Sequence, residues 1–298
     1  MINFPNAKIN LGLNVTSKRT DGYHNLETIF YPIELKDALE IVPASNKVSV
    51  ELKNTAPLVG NGINLSSSNQ KAKSSYRFFL SGEKVQGDPE SNLVIKALNL
   101  ISSKAKIEIP QIDIHLLKNI PQGSGLGGGS SDAAFMLKLL NEYFKLNFSL
   151  DELLKIASNI GADCPFFLIN KSVFASGIGN QMTPVNVDLS NYFLLIVKPE
   201  ITVSTKDAYG MITPGPAKKS LEEIVKKPIS QWKELMKNDF EEPIFKKYPE
   251  ICVIKQQLYE LGAIYASMSG SGSSVYGLFE NIPYWGDLFK NHFVWVSE

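Results

Sequence analysis

A glycine-rich loop between a strand and a helix is the feature of this sequence that most restricts its fold. Residues 112–117 alternate apolar and polar side chains as a half-buried strand does, and residues 133–144 carry apolar side chains at helical spacing. Between them, residues 121–131 contain five glycines: Gly123, Gly125, Gly127, Gly128 and Gly129. Because glycine has no Cβ and tolerates positive φ, such a loop can present its backbone N–H groups to a ligand.

The expected ligand of this loop is a polyanion such as a triphosphate. The first turn of the next helix adds unpaired N–H groups and a partial positive charge. The residues predicted to bind it are Pro121, Gln122, Gly123, Ser124, Gly125, Leu126, Gly127, Gly128, Gly129, Ser130 and Ser131. The alternative is a flexible hinge or linker that binds no ligand, but such linkers are not usually placed between a strand and a helix.

Two familiar phosphate-binding patterns fit this loop poorly. The P-loop requires Lys and Ser or Thr after its last glycine, whereas Ser and Asp come after the glycines here. Residues 123–128 do match the dinucleotide pattern G-x-G-x-x-G, but the parallel strand–helix–strand context of that motif is missing. The loop therefore belongs to a different kind of phosphate site.

The charge composition argues against a nucleic-acid-binding protein. Thirty basic residues balance thirty acidic ones, and only Arg19 and Arg77 are arginines. Nucleic-acid binders need a clustered positive field and favour arginine. A bound phosphate must therefore be held by lysine or by backbone amides.

Cysteine and histidine are too scattered to suggest a metal centre. Cys164 and Cys252 belong to no ligand pattern, and the three histidines, His24, His115 and His292, lie far apart in the sequence. The sequence shows no targeting segment at its start and no run of eighteen apolar residues. We therefore expect a soluble, cytoplasmic protein with reduced thiols and no membrane partner.

The order of elements predicts an α+β protein with two domains, residues 1–160 and 161–298. Strands are expected at 7–16, 24–35, 38–42 and 48–52, and residues 53–75 form a surface excursion without periodicity. In the second domain, strands 264–268 and 274–279 flank another glycine-rich segment, residues 269–273.

Lys8 and Asp163 are candidate catalytic residues. Lys8 lies on the polar face of the first strand, and it is either a solvated surface group or a cation that pairs with a phosphate or keeps Asp163 ionised. Asp163 lies between a helix end and an apolar run, so we expect it to be partly buried. It either ends the helix in an Asx-turn or has a catalytic task.

Three aromatic residues are candidates for binding a flat ring. Tyr23 and His24 come after the Asp-Gly turn at 21–22, and Tyr209 comes after residues 202–205. Such side chains can stack on a base and donate hydrogen bonds to its edge. Scattered surface aromatics are the alternative, because the sequence alone does not bring the three together.

These motifs resemble those of the GHMP kinases, which phosphorylate galactose, homoserine, mevalonate and phosphomevalonate. The resemblance rests on residues 121–131, on Ala7-Lys-Ile-Asn-Leu11 and on Ser269-Gly-Ser-Gly-Ser273, and it covers nearly the whole chain. It implies the two-domain fold of that family, with an N-terminal domain like domain 2 of ribosomal protein S5 and a ferredoxin-like C-terminal domain. It also implies ATP and Mg²⁺ as cofactors.

A finer signature narrows the resemblance within the GHMP kinases. Three segments are similar to those of kinases of a cytidine diphosphate sugar alcohol in non-mevalonate isoprenoid synthesis: Pro5-Asn-Ala-Lys-Ile-Asn-Leu-Gly-Leu13, Arg19-Thr-Asp-Gly-Tyr-His24 and Gly161-Ala-Asp-Cys-Pro-Phe-Phe167. The resemblance implies that Asp163 takes the proton of the attacking C2 hydroxyl, that Lys8 lies beside it, and that Tyr23, His24 and Tyr209 hold the cytosine. The protein would act on small molecules as a monomer or homodimer.

Asp132 departs from some relatives, which carry Asn at this position. It either approaches the metal through water or strengthens the N-terminus of the helix, and we favour the structural role. Two further functions remain open: a GHMP kinase of the homoserine or mevalonate type, and a catalytically silent nucleotide-binding protein. Retention of both Asp163 and Lys8 argues against the silent protein.

Overall fold

The computed structural model describes residues 1–44, 63–67, 76–217 and 219–297. The described strands are β1 Ile2–Asn3, β2 Asn6–Lys18, β3 His24–Lys36, β4 Ala38–Pro43, β5 Ile63–Ser67, β6 Tyr76–Gly82, β7 Ile112–Lys118, β8 Val173–Ser176, β9 Gln181–Pro184, β10 Phe193–Lys198, β11 Tyr265–Met268, β12 Val275–Phe279 and β13 Phe293–Val296. The described helices are α1 Leu93–Lys104, α2 Gly128–Tyr143, α3 Leu150–Ser158, α4 Cys164–Ile169, α5 Thr205–Gly210, α6 Leu221–Ile224, α7 Trp232–Leu235, α8 Glu241–Lys247 and α9 Pro249–Glu260. The predicted α+β class is confirmed.

The chain forms two compact units that are each discontinuous in sequence. Unit 1 comprises Met1–Asn6, Lys36–Gln122 and Gly128–Leu168, and unit 2 comprises Ala7–Leu35, Gly123–Gly127 and Ile169–Glu298. The boundary expected near residue 160 lies inside unit 1. Residues 7–35 are therefore far from the rest of unit 2 in sequence, although they are part of it.

Unit 1 is a five-stranded sheet with helices α1 and α2 packed together. The strand order is β1-β4-β7-β6-β5, in which β6 and β7 run parallel and the other neighbours are antiparallel. Asn92 caps α1, because its side chain accepts a hydrogen bond from the backbone N–H of Val94 at 2.9 Å. Ser149 and Glu152 form a capping box at the start of α3.

Two expectations for unit 1 need correction. Part of the excursion predicted at 53–75 is strand β5, which pairs with β6; the strand expected at 48–52 lies outside the described residues. Helix α2 begins at Gly128, five residues before the expected start at 133. A Cβ on Gly128 would lie 2.8 Å from Ile120 Cγ2, so the missing side chain lets this first turn pack closely, despite the low helix propensity of glycine.

Unit 2 contains two four-stranded sheets, β11-β12-β10-β13 and β2-β3-β8-β9. The first is antiparallel throughout, and its inner face packs on α8 and α9 through a core that includes Leu195, Val197, Ile251 and Leu258. Helix α9 ends before Gly262, whose φ of +96° is typical of a glycine that follows a helix C-terminus. None of the helices in the described part of the chain is long and apolar enough to cross a bilayer.

Candidate active site

The glycine segment at 123–127 is fixed to the second glycine-rich segment within unit 2. The hydroxyl of Ser269 donates a hydrogen bond to the carbonyl of Gly125 at 2.9 Å, and the N–H of Ser274 donates to the carbonyl of Ser124 at 3.0 Å. Gly125 has a φ of +78°, and a Cβ there would lie 2.0 Å from the Ser269 carbonyl oxygen. Only glycine therefore fits at position 125.

Lys8 lies directly against this glycine segment. Its Nζ donates to Asn10 Oδ1 at 2.6 Å and to the Gly125 carbonyl at 3.1 Å, and it lies 5.1 Å from the centre of the Phe30 ring. The backbone N–H of Lys8 also donates to the carbonyl of Leu126 at 2.9 Å. Lys8 is only 3% exposed, so it is not a solvated surface group and that alternative is wrong.

Asn10 is a buried polar residue of this region that the sequence patterns did not single out as a site residue. Its Nδ2 donates to Thr28 Oγ1 at 2.9 Å, and its backbone N–H donates to Ser269 Oγ at 3.3 Å. The hydroxyl of Tyr276 donates to the Asn10 carbonyl at 2.8 Å. Asn10 is thus fixed by hydrogen bonds of its own while it accepts one from the Lys8 ammonium. Its position two residues after Lys8, on the same face of the strand, was the sequence signal that could have identified it as a site residue.

The N-terminal turn of α2 belongs to unit 1 and combines exposed backbone with buried side chains. Gly129 is exposed and Ser130 half-buried, whereas Ser131 is fully buried. The hydroxyl of Ser131 has no hydrogen-bond partner among the described residues. The N–H groups of this turn have no partner within the helix, so this turn can bind an anion.

Asp132 belongs to a buried ionic triad with Lys118 and Asp37. Lys118 Nζ contacts Asp37 Oδ2 and lies 2.6 Å from Asp132 Oδ2, and the residues Lys118, Asp37 and Asp132 are 5%, 1% and 2% exposed. Asp37 Oδ1 accepts hydrogen bonds from the backbone N–H groups of Asn119 and Ile120 at 2.6 and 2.8 Å. The triad joins the end of β7 to α2, which agrees with a structural role for Asp132.

The ionisation of the triad depends on burial and on the ratio of two carboxylates to one ammonium. Burial raises the pKa of Asp132 to about 7. The positive charge of Lys118 partly offsets this rise, and the negative charge of Asp37 adds to it. Burial alone would lower the pKa of Lys118, but the attraction of Asp132 and Asp37 outweighs it and raises that pKa. Lys118 therefore stays charged near neutral pH, whereas Asp132 titrates.

Asp163 immediately precedes α4 in unit 1 and is half-buried, as predicted. The backbone N–H of the next residue, Cys164, donates to the carbonyl of Gly161 at 3.2 Å, which closes a turn around Asp163. Burial raises the pKa of the Cys164 thiol to about 12. Cys164 is therefore an inert packing residue, which leaves Asp163 as the candidate reactive group of this motif.

The structure brings two of the three predicted ring-binding residues together within unit 2. The rings of His24 and Tyr209 are stacked, with centroids 4.8 Å apart and planes inclined by 17°. Tyr209 also packs edge-on against the buried Phe240. Tyr23 is 61% exposed and lies in the turn that Arg19 and Asp21 stabilise.

Comparisons with protein families agree with these motifs. Residues 92–171 match the GHMP kinase N-terminal domain, and residues 220–282 match the GHMP kinase C-terminal domain. A protein of Parabacteroides distasonis named 4-diphosphocytidyl-2-C-methyl-D-erythritol kinase is 53% identical over 100% of this chain and 99% of its own length. A Bacteroides fragilis protein of the same name is 52% identical over 94% of this chain and 92% of its own.

Solved structures give the same assignment. A crystal structure of 4-(cytidine 5'-diphospho)-2C-methyl-D-erythritol kinase matches with a TM-score of 0.72 and 31% identity, over 93% of this chain and 90% of the other. The mevalonate kinase of Methanococcus jannaschii, with a TM-score of 0.63 and 15% identity over 99% and 97%, shares the fold. The chain therefore belongs to the GHMP kinases and, within them, to the family of the 4-diphosphocytidyl-2-C-methyl-D-erythritol kinases.

Proposed function

We propose that this protein transfers the γ-phosphoryl group of ATP to the C2 hydroxyl of 4-diphosphocytidyl-2-C-methyl-D-erythritol. The observation that carries the proposal is 53% identity with a kinase of that name over the whole chain. The motifs at 5–13, 19–24, 121–131 and 161–167 lie within this full-length match. The reaction is a step of non-mevalonate isoprenoid synthesis, and we expect it in the cytoplasm.

Phosphoryl transfer needs positioning and neutralisation of charge more than covalent help from the protein. In this proposal the glycine backbone at 123–127 and the first turn of α2 bind the phosphates of ATP. The Lys8 ammonium, held by Asn10 and the Gly125 carbonyl, supplies positive charge. Asp163 accepts the proton of the C2 hydroxyl as its oxygen attacks phosphorus.

Magnesium is expected with ATP and would neutralise the charge of the β- and γ-phosphates. No group of three or more His, Cys, Asp or Glu side chains in the described ranges could hold a metal ion. A Mg²⁺ ion bound mainly by phosphate oxygens and water fits such a donor set, because this ion keeps several of its waters. The residues of this chain then bind the phosphates, and the ion arrives with them.

The stacked pair of His24 and Tyr209 is the proposed binding place of the cytosine ring. The faces of the two rings already contact each other at a centroid distance of 4.8 Å. A base therefore either stacks on an outer face of the pair or separates the two rings. In both cases the base would be held through contact between ring faces.

A substrate panel tests the reaction directly. Release of ADP is measured with the cytidine diphosphate substrate, with homoserine and with mevalonate, each at the same concentration. We expect release with the cytidine diphosphate substrate alone. Phosphorylation of homoserine or mevalonate instead would replace this assignment with that of another GHMP kinase.

The role of Asp163 is tested by Asp163→Asn. We expect kcat to fall about a hundred- to ten-thousand-fold, with little change in ATP affinity, because the variant keeps the size of the side chain but cannot accept the proton. Asp151→Asn, in the exposed first turn of α3, is the matched control and should keep normal kcat. Near-normal turnover of Asp163→Asn would exclude this residue as the base.

A further inference from the structure

The negative charge of the buried triad in unit 1 is concentrated on Asp132. Both oxygens of Asp37 accept hydrogen bonds, Oδ1 from two backbone N–H groups and Oδ2 from Lys118. Asp132 Oδ2 accepts from Lys118 at 2.6 Å, but the buried Oδ1 has no hydrogen-bond partner among the described residues. An ionised Asp37 is thus fully satisfied, whereas an ionised Asp132 is not. Protonation of the triad therefore occurs on Asp132.

The triad lies near the N-terminal end of α2, whose first turn is the part of unit 1 proposed to bind phosphate. Asp132 is the fifth residue of the helix, about 6 Å along the axis from its first residue. The Lys118 ammonium lies 3.3 Å from where a Cβ of Gly128 would be. A negative charge on Asp132 thus lies within the first turns of the helix, where it opposes the binding of an anion at the N-terminus.

Few other charges act on Asp132. Lys118 and Asp37 are the groups that shift its ionisation, and burial does the rest. Helix α2 packs on α1, α3, β1 and β4; strand β1 carries no ionisable side chain. Lys138 of α2 is half-buried and donates to the Phe167 carbonyl. The other acidic and basic side chains of α1, α2 and α3 are exposed: Lys96, Lys104, Glu142, Asp151, Glu152 and Lys155.

Strand β4 contributes one further carboxylate, on the other side of the sheet. Glu40 is half-buried and lies opposite His115 of β7, while its neighbours Leu39 and Ile41 point into the core. Because successive side chains of a strand point to opposite faces, Glu40 lies away from α2. The ionic balance around Asp132 is therefore set within the triad.

We propose that Asp132 is a positioning residue that couples phosphate binding at the N-terminus of α2 to the uptake of a proton. Binding of an anion favours the protonated triad, which is neutral, and protonation in turn strengthens anion binding. The inference rests on the proposed function, because the anion is taken to be the phosphate chain of the nucleotide. Beyond the proposed function, the inference predicts that the affinity for the nucleotide falls as the pH rises through neutrality.

Calorimetry with ADP tests the coupling in the full chain. Titrations between pH 6 and pH 8.5 give the affinity, and titrations at pH 7.5 in two buffers of different ionisation enthalpy count the protons taken up. For the unmodified protein we expect uptake of about half a proton beyond that of ADP itself, and about tenfold tighter binding at pH 6 than at pH 8.5.

Asp132→Asn is the informative variant, because Asn has the shape of the protonated acid and cannot ionise. It should bind ADP with the small pH dependence of the nucleotide alone and without the extra proton. Asp113→Asn is the matched control: Asp113 is another buried acid of unit 1, on β7 and paired with Arg77, and its variant should keep the proton uptake of the unmodified protein.

The outcomes separate the inference from the proposed function. ADP binding without extra proton uptake in the unmodified protein, or equal uptake in Asp132→Asn, would overturn the coupling and leave the kinase assignment intact. Failure to bind ADP at every pH would overturn the proposed function itself. Because the proton count is made on the unmodified protein, the test holds even if a variant folds poorly.

Discussion

The two glycine-rich segments of this chain share a composition but lead into different kinds of element. Residues 121–131 lead into helix α2, whereas residues 269–273 join the antiparallel strands β11 and β12. A helix start leaves N–H groups without intrahelical partners, while a strand connection uses its polar groups to close the turn. Glycine content therefore permits a close approach of backbone in both segments, and the adjoining element decides whether backbone N–H groups are left for a ligand.

The groups that hold the two segments also differ. The 269–273 segment is held by neutral hydrogen bonds: Asn238 Nδ2 donates to the carbonyls of Met268 and Gly270, both at 2.8 Å. The start of α2 is held by the charged triad of Lys118, Asp37 and Asp132. Of these two supports, only the second is built from ionisable side chains, so we expect only the second to respond to pH. Single substitutions in the two regions test this contrast, from the largest expected effect to the smallest.

The largest effect is expected for Gly125→Ala. The new methyl group would meet the Ser269 carbonyl in a backbone region with positive φ, so we expect the free energy of unfolding to fall by about 3–5 kcal/mol. Denaturant unfolding measures the loss. Gly262→Ala, with positive φ and open space around it, is the control and should lose only about 1 kcal/mol. Equal losses would show that the two glycine segments do not support each other.

A smaller loss is expected for Asn238→Ala. Two carbonyls and the N–H of Phe240 lose a buried partner, which should lower the free energy of unfolding by about 2–3 kcal/mol. The loss should be constant between pH 6 and pH 8.5, because no charge is involved. Asn180→Ala, in an exposed turn, should cost less than about 0.5 kcal/mol. A loss that varies with pH would contradict the neutral character of this support.

We expect Asp132→Asn to raise the free energy of unfolding at alkaline pH. The pKa of Asp132 rises on folding from 3.8 to about 7, so its favourable contribution is fully present below pH 3.8 and is lost as the pH rises towards 7. Asn cannot ionise, and the variant should therefore be about 1–2 kcal/mol more stable than the unmodified protein at pH 8.5. Thermal unfolding at pH 5 and pH 8.5 measures the difference. If the stability of the variant relative to the unmodified protein were lower at pH 8.5 than at pH 5, ionisation of Asp132 would stabilise the fold, and the prediction would be wrong.

The smallest effect is expected for Gly272→Ala. A Cβ there would lie 2.7 Å from Met268 Sδ, and a flexible methionine side chain can move away. The remaining cost is that of positive φ, about 1 kcal/mol, which chemical denaturation measures. Gly22→Ala has positive φ without any atom within 4 Å and should lose a similar amount. A much larger loss at position 272 would mean that this segment is as tightly packed as Gly125.

Local patterns predicted most elements and the candidate residues of the site. The strands expected at 7–16 and 24–35 correspond to β2 and β3, and those expected at 264–268 and 274–279 correspond to β11 and β12. The start of α2 was predicted too late, because glycines at 128–129 disfavour a helix by propensity and only tertiary packing against Ile120 explains it. Strand β5 lacks a periodic signal and depends on its partner β6.

Interactions between distant residues were beyond the reach of sequence patterns. Asp37 and Lys118 are 81 residues apart, and neither stands out in the sequence from an ordinary surface charge. The stacking of His24 on Tyr209 likewise joins residues whose individual chemistry was clear but whose proximity was not. In both cases burial and pairing depend on the fold, which local periodicity does not encode.

The different surroundings of the two cysteines make this protein convenient for spectroscopy. Cys164 is buried and its thiol pKa of about 12 leaves almost no thiolate at neutral pH, whereas Cys252 is partly exposed on α9. A maleimide dye should therefore attach at position 252 alone without any cysteine being replaced. The labelled protein would carry one dye at a known position while the residues of the proposed site stay unmodified.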